Sequence, residues 1–329
     1  MRYKWMAHQI TIAWFGGCMQ ELYIREICKK HKMECGKITN IAGRFDLGVF
    51  NVDDRYVIRT SRNRMLDEEI KYDRIKALKH VPHLIHASEF MIDGSRIYYL
   101  ILDYIQGLEL LSVYNNLTPI NIHDISMSIS EFLNNLHRIK GNKYDIGHYI
   151  PIIPNHDKSW KVGHELYWDY VYNNVTGLQP DDGLVKLLKA ADGYFKENVS
   201  SLDYEGGPVL LHNDFHFKNI IVKNNAFAGV IDWECSQYGE MDFELIHLLH
   251  WSLYPPSKDL NMTVMFNSVF REQMKSREIP MIEKRFTIYM LEHDFMQIVW
   301  SKGNKTDEYM PRIRSWLDGK LEEYVRNIM

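Results

Sequence analysis

Apolar residues change their spacing about a third of the way along the chain. In the first hundred positions they fall in short runs rich in β-branched and aromatic residues: Ile38–Ala42, Leu47–Val52, Arg55–Thr60, Leu84–Met91 and Arg96–Leu102. Turn chemistry separates them, with Asp53-Asp54 after the second run and Asp93-Gly94 between the last two. Such runs predict strands, the first three as a meander and the last two as a hairpin. Two helical patterns interrupt them, Met19–Lys32 and Asp67–Lys79, the second closed by Pro82. After Gln106-Gly107 the spacing becomes helical. Ile125, Ile129, Phe132, Leu133 and Leu136 predict a helix over Asp124–Ile139. Further helices are predicted over Asp182–Val199, Met241–Leu253, Asn261–Lys275, Glu283–Ser301 and Arg312–Ile328. Strand-like pieces return only at Pro208–Leu211, Ile220–Lys223 and Gly229–Trp233. This is a two-lobed α+β plan, a β-rich lobe over residues 1–103 and a mainly helical one over 104–329.

Composition narrows the class. Of 329 residues, 46% are apolar and 25% charged, as in an ordinary globular protein with a sizeable core. Lys and Arg number 39 against 43 Asp and Glu, a net charge of −4, which disfavours a nucleic-acid partner bound by global positive charge. The apolar stretch Ile10–Gly17 is about half of a membrane span and lacks a small-residue cleavage pattern, so neither a membrane segment nor a signal peptide is expected. Cys18, Cys28, Cys35 and Cys235 form no CxxC pair, the usage of a reducing, cytoplasmic compartment.

The chemistry concentrates in residues 209–234, which read strand, polar loop, strand, turn, strand. Asp214 precedes Asn219 by five positions and Asp232 follows Asp214 by eighteen. Phosphoryl transfer from a nucleotide needs such a set: one carboxylate to orient and deprotonate a hydroxyl, a second carboxylate and an amide oxygen to hold Mg²⁺. A hairpin can present all three on one surface. His212 and His216 flank Asp214 at metal-ligand spacing, so a metal-dependent hydrolase built on these three residues is a rival reading. A nucleotide-binding module without catalysis is another. His247 and His250, three apart on a predicted helix, are a weaker ligand pair.

The run His212-Asn-Asp214-Phe-His216-Phe-Lys-Asn219, followed by Ile231-Asp232-Trp233-Glu234, resembles the motifs of the aminoglycoside phosphotransferase and choline kinase-like family, small-molecule relatives of protein kinases. Asn213 and Phe215 stand where that family usually has Gly and Leu. The resemblance spans roughly residues 36–255 and implies a protein kinase-like fold with the active site between its lobes. It implies that Asp214 is the catalytic base and that Asn219 and Asp232 hold Mg²⁺. Gly43 and Gly48 would flank a loop over the phosphates of ATP or GTP. Arg59 would stand where kinases place a strand lysine, oriented by Glu69 or, as second choice, Glu68. The carbonyl of Asp103 and the amide of Ile105 would receive the base. His212 and His137 would be structural.

Between Asn224 and Ser257 there is no Lys or Arg, while Asp232, Glu234, Glu240, Asp242 and Glu244 all occur. Such acidity would attract a cation. With the resemblance, it favours an aminoglycoside as acceptor, contacted by Glu234, Glu240 and Asp242. Choline, another amino alcohol, a sugar or a different antibiotic are the alternatives.

Overall fold

The five predicted strands of the first hundred residues form one antiparallel sheet in a computed structural model that describes residues 21–42, 48–92, 94–145, 159–275 and 277–329. They are β1 (Ile38–Ala42), β2 (Val49–Val52), β3 (Tyr56–Ser61), β4 (Leu84–Ile92) and β5 (Ser95–Asp103), in the order β1-β2-β3-β5-β4. Asp53 and Asp54 take positive φ, 56° and 52°, the turn that matches strand twist between β2 and β3. The Asp53 carboxylate then accepts from the amides of Gly36 and Lys37, at 2.8 and 2.6 Å, tying down the approach to β1. Strand alternation sends Phe50 and Val52, and likewise Tyr99 and Ile101, to one face of the sheet. There they pack with Ile58 and with Ile24, Ile27 and Cys28 of helix α1 (21–30). Helix α2 (Leu66–Ile75) is inserted after β3.

The chain divides into two units. The first takes the residues up to Leu108 together with 221–224 and 228–234, so most of the hairpin β8 (Ile220–Lys223) and β9 (Ala226–Val230) is counted with the sheet. Asn224 and Asn225 make the tight turn of this hairpin at φ 53° and 60°. Short β6 (Leu108–Glu109) pairs with β8. Gly107, just before it, cannot carry a side chain: a Cβ would lie 2.4 Å from the carbonyl oxygen of Val222.

The second unit is helical: α3 (Leu110–Val113), α4 (Pro119–Leu136), α5 (Trp160–Gly177), α6 (Asp182–Asn198), α7 (Leu245–Leu253), α8 (Thr263–Met274), α9 (Ile282–Trp300), α10 (Thr306–Leu317) and α11 (Lys320–Ile328). A two-stranded antiparallel piece, β7 (Val209–Leu211) with β10 (Gln237–Gly239), accompanies them. Thr118 caps α4 in a capping box with Asn121, with Pro119 at the first turn. Ser159 and Asp181 cap α5 and α6. The helix predicted over Arg312–Ile328 is two, because Gly319 sits at φ 78° and breaks it. Helix α9 is buried on almost every side and carries Arg285, Glu292 and Asp294 into the core. No described helix is long and apolar enough to cross a membrane.

Candidate active site

The loop after β7 carries the central carboxylate. Glu244, just ahead of α7 and fully buried, accepts from the amides of His212 (2.6 Å) and Asn213 (3.0 Å) and so anchors the loop's backbone. Burial outweighs these two hydrogen bonds and pushes the Glu244 carboxyl up to about 7. Asn213 takes φ 62°, a conformation that costs Asn less than most residues; this is how Asn replaces Gly in the motif. Its side-chain amide donates to the carbonyl of Cys235 at 3.2 Å. His212 is fully buried, its Nδ1 accepting from the Asp214 amide at 3.3 Å.

Asp214 is part-buried among three side chains. Asn219 donates from Nδ2 to the Asp214 carbonyl (2.9 Å) and to Oδ2 (3.0 Å). His216 Nε2 lies 3.4 Å and His247 Nδ1 3.9 Å from Oδ1. Burial alone would raise the Asp214 carboxyl; the hydrogen bond from His216 and the fields of His247, His216 and His212 overcome it and hold the group below the usual carboxylate range. It is an anion at neutral pH, the form a general base needs.

In the first unit a second cluster gathers on Arg59 of β3. Its Nε lies 3.2 Å from Glu68, Nη1 3.3 Å from Asp232 and Nη2 2.5 Å from Glu234. Burial would lower the guanidinium; Tyr72 and these carboxylates raise it above its ordinary value. The partner from α2 is therefore Glu68, not Glu69. Consecutive helical side chains diverge by about 100°, and it is Glu68 that faces β3. Lys71, also on α2, donates to the Glu234 carbonyl. Asp232 takes φ 68° and keeps its side chain 43% exposed.

The other predicted residues are spread more widely. Gly43 lies outside the described residues. Gly48 begins β2's pairing, accepting from the Thr60 amide at 2.9 Å. Asp103 ends β5, its carboxylate accepting from the His83 amide, and Ile105 lies against Gly229. Glu240 and Asp242 are fully buried and have protein partners. Glu240 accepts from Tyr144 and from the amides of Gly206 and Gly207. Asp242 is gripped by Arg285 at 2.6 and 3.0 Å and by the Tyr289 hydroxyl at 3.3 Å. His137 is buried with Glu244 Oε2 at 4.0 Å from Nε2.

Asp214 opens on a cavity of about 650 Å³ within the helical unit. Helices α5, α7, α9 and α10 supply most of its wall, including His247, Trp251, His293, Trp300 and Arg312. The sequence offered His247 and His250 as a spaced pair, but the contributing helices are far apart in the chain, so their assembly into one wall was not legible there. Among the described residues, the imidazoles and carboxylates near enough to share an ion are His250, His293 and Asp294, within 4.8 Å, rather than His212, Asp214 and His216. Within that trio Asp294 bonds His293 and Trp316, and Arg312 faces His250 Nε2 at 3.5 Å.

A β-sheet unit followed by a helical unit, with a carboxylate–amide loop after β7, defines a protein kinase-like two-lobed fold. The sequence matches the model of the phosphotransferase enzyme family over residues 37–262, well over half of the chain. The chain belongs to that family and is a phosphotransferase acting on an alcohol group. Solved structures agree in fold. A thermostable mutant of aminoglycoside phosphotransferase APH(4)-Ia, in a ternary complex with ADP and hygromycin B, is 16% identical with a TM-score of 0.65, covering 91% of this chain and 97% of that one. The streptomycin–ATP complex of APH(2'')-IIa is 17% identical, TM-score 0.62, covering 90% and 94%. ADP-bound APH(2'')-Ib is 17% identical, TM-score 0.62, covering 91% and 97%. No curated protein sequence matches this chain.

Proposed function

We propose that this small-molecule kinase transfers the γ-phosphoryl group of ATP or GTP to a hydroxyl of an acceptor held in the cavity beside Asp214. The observation that carries the reading is the placement of Asp214, an ionised carboxylate oriented by Asn219 and His216 on the wall of a cavity of about 650 Å³, a volume suited to a drug-sized molecule. Asp214 accepts the hydroxyl proton as the oxygen attacks phosphorus. Arg59, braced by Glu68, faces the phosphates and keeps Asp232 beside them. The Asp103–Ile105 segment receives the base, and Gly48 belongs to the loop over the phosphates.

Asn219 and Asp232 would hold Mg²⁺. The donor set suits it: with Nδ2 committed to Asp214, the remaining Asn219 donor is the amide oxygen Oδ1, and Asp232 adds a half-exposed carboxylate, both hard oxygens. Bound there, Mg²⁺ would neutralise charge on the transferring phosphates. The free thiols of Cys28, Cys35 and Cys235 suit a cytoplasmic enzyme. The engagement of Glu240 and Asp242 with protein partners withdraws the acidic-patch support for an aminoglycoside, which leaves the acceptor to be read from the cavity itself.

The test is transfer of labelled γ-phosphate from ATP and from GTP, with Mg²⁺, to a panel of hydroxylated amines, sugars and antibiotics. Stoichiometric transfer to one acceptor is expected. Failure to bind either nucleotide would overturn the reading.

A further inference from the structure

The cavity beside Asp214 has a composition of its own. Among the described residues its wall presents eight aromatic rings and five imidazoles against three carboxylates. Each carboxylate is taken. Asp214 is engaged by Asn219 and His216 and is reserved for the reacting hydroxyl. Glu292 is buried against His164 Nδ1 at 2.8 Å. Glu308 is paired with Arg312 at 2.6 Å. Arg312 is in turn sandwiched by the rings of Tyr254 and Tyr309, at 4.0 and 4.5 Å, which fixes a positive group in the same wall. Lys305 adds another.

A polycationic acceptor would have to leave water and find a carboxylate for each ammonium group. Unpaired charge in such a place is strongly disfavoured, and Lys305 adds repulsion. The same wall suits a different molecule. Aromatic faces stack on apolar ring faces, and neutral imidazoles both donate to and accept from hydroxyls. Burial holds His247 neutral, down to about 3, and lowers His250 as well. Trp300, at the end of α9, lines the cavity while 54% exposed.

We infer that the acceptor is an uncharged, ring-bearing alcohol stacked on the aromatic wall, with Trp300 among its contacts, rather than a polycation. This rests on the reading of Asp214 as the base at the acceptor end.

The experiment compares two probe sets in the full-length enzyme with Mg·ATP and Mg·GTP. One holds uncharged ring alcohols, namely nucleosides, aryl glycosides and uncharged hydroxylated macrolactones. The other holds hygromycin B, streptomycin and gentamicin. Nucleotide binding is measured in parallel by calorimetry. The inference expects kcat/KM for the best uncharged probe to exceed that of any polycation by more than about tenfold. Trp300→Ala should raise KM for that probe roughly three- to tenfold with kcat little changed, as expected for loss of one stacking contact. Trp300→Glu, which adds a carboxylate to the wall, should shift preference toward the polycations. Preferential phosphorylation of a polycation, or no transfer to any uncharged probe by an enzyme that binds nucleotide, overturns the inference and leaves the kinase reading standing. Absence of nucleotide binding overturns that reading instead.

Discussion

Asn219 reaches back five residues and donates the same amide nitrogen to both the backbone carbonyl and the carboxylate of Asp214, at 2.9 and 3.0 Å. One side chain therefore sets the direction of the base and is left with only its oxygen for other partners. Asn219→Asp would replace the donor by a like charge beside Asp214. A neighbouring carboxylate raises a carboxyl group's pKa, whereas in the native loop His216 and the nearby imidazoles keep Asp214 below the usual range. The native enzyme should show no acid limb from this group above the ordinary carboxylate range. In Asn219→Asp the acid limb of kcat/KM should move to higher pH. A pH–rate profile for both enzymes checks this, and an unmoved limb counts against the geometry.

Glu68 and Glu69 are adjacent, yet only Glu68 meets Arg59, at 3.2 Å. If that pair positions Arg59 for the nucleotide, Glu68→Gln should raise the nucleotide KM by about three- to tenfold, the loss of one part-buried ion pair. Glu69→Gln should leave it near the native value. Steady-state kinetics with ATP varied separates them, and equal effects would contradict the assignment.

The Asp242–Arg285 pair is fully buried, with Tyr289 on the same carboxylate. Removing one partner leaves a charge in the core. Asp242→Ala should therefore destabilise the fold by about 3–5 kcal/mol, whereas loss of an acceptor contact would cost affinity alone. Denaturant unfolding measures the first and kinetics the second.

His137 is buried and, among the described residues, has no hydrogen-bond partner on either ring nitrogen. Burial, with smaller contributions from Arg277 and Lys140, lowers it to about 3 from the ordinary 6.5. Below about pH 6.5 the unfolded chain takes up a proton that the folded chain refuses, so this group removes stability as pH falls toward 3. His137→Leu abolishes that uptake. Its stability relative to the native protein should improve steadily between pH 7.5 and pH 5, read from urea midpoints; a difference independent of pH would contradict the linkage.

What could be read from the sequence follows physical range. The spacing of Asp214, Asn219 and Asp232 was legible because it belongs to one local stretch of strands and turns. The choice between Glu68 and Glu69 was not, since it depends on how α2 is rotated against β3. Helix α5 escaped because Trp160, His164 and Trp168 are buried alongside polar Asn and Tyr positions, which blurs its apolar stripe. The acids at 240 and 242 pointed to a cation, and one is there, but it is Arg285, forty-three residues further along the chain from Asp242. The assembly of the cavity wall was not legible in sequence because four separate helices build most of it.

The central claim is that Asp214 takes the proton of the acceptor hydroxyl during phosphoryl transfer. The direct measurement is single-turnover transfer of labelled γ-phosphate by the native enzyme and by Asp214→Asn, with nucleotide affinity determined for each. The account predicts a fall in transfer rate of about 10²–10⁴-fold, with the nucleotide Kd changed by no more than about twofold. Transfer at the native rate by Asp214→Asn would contradict it.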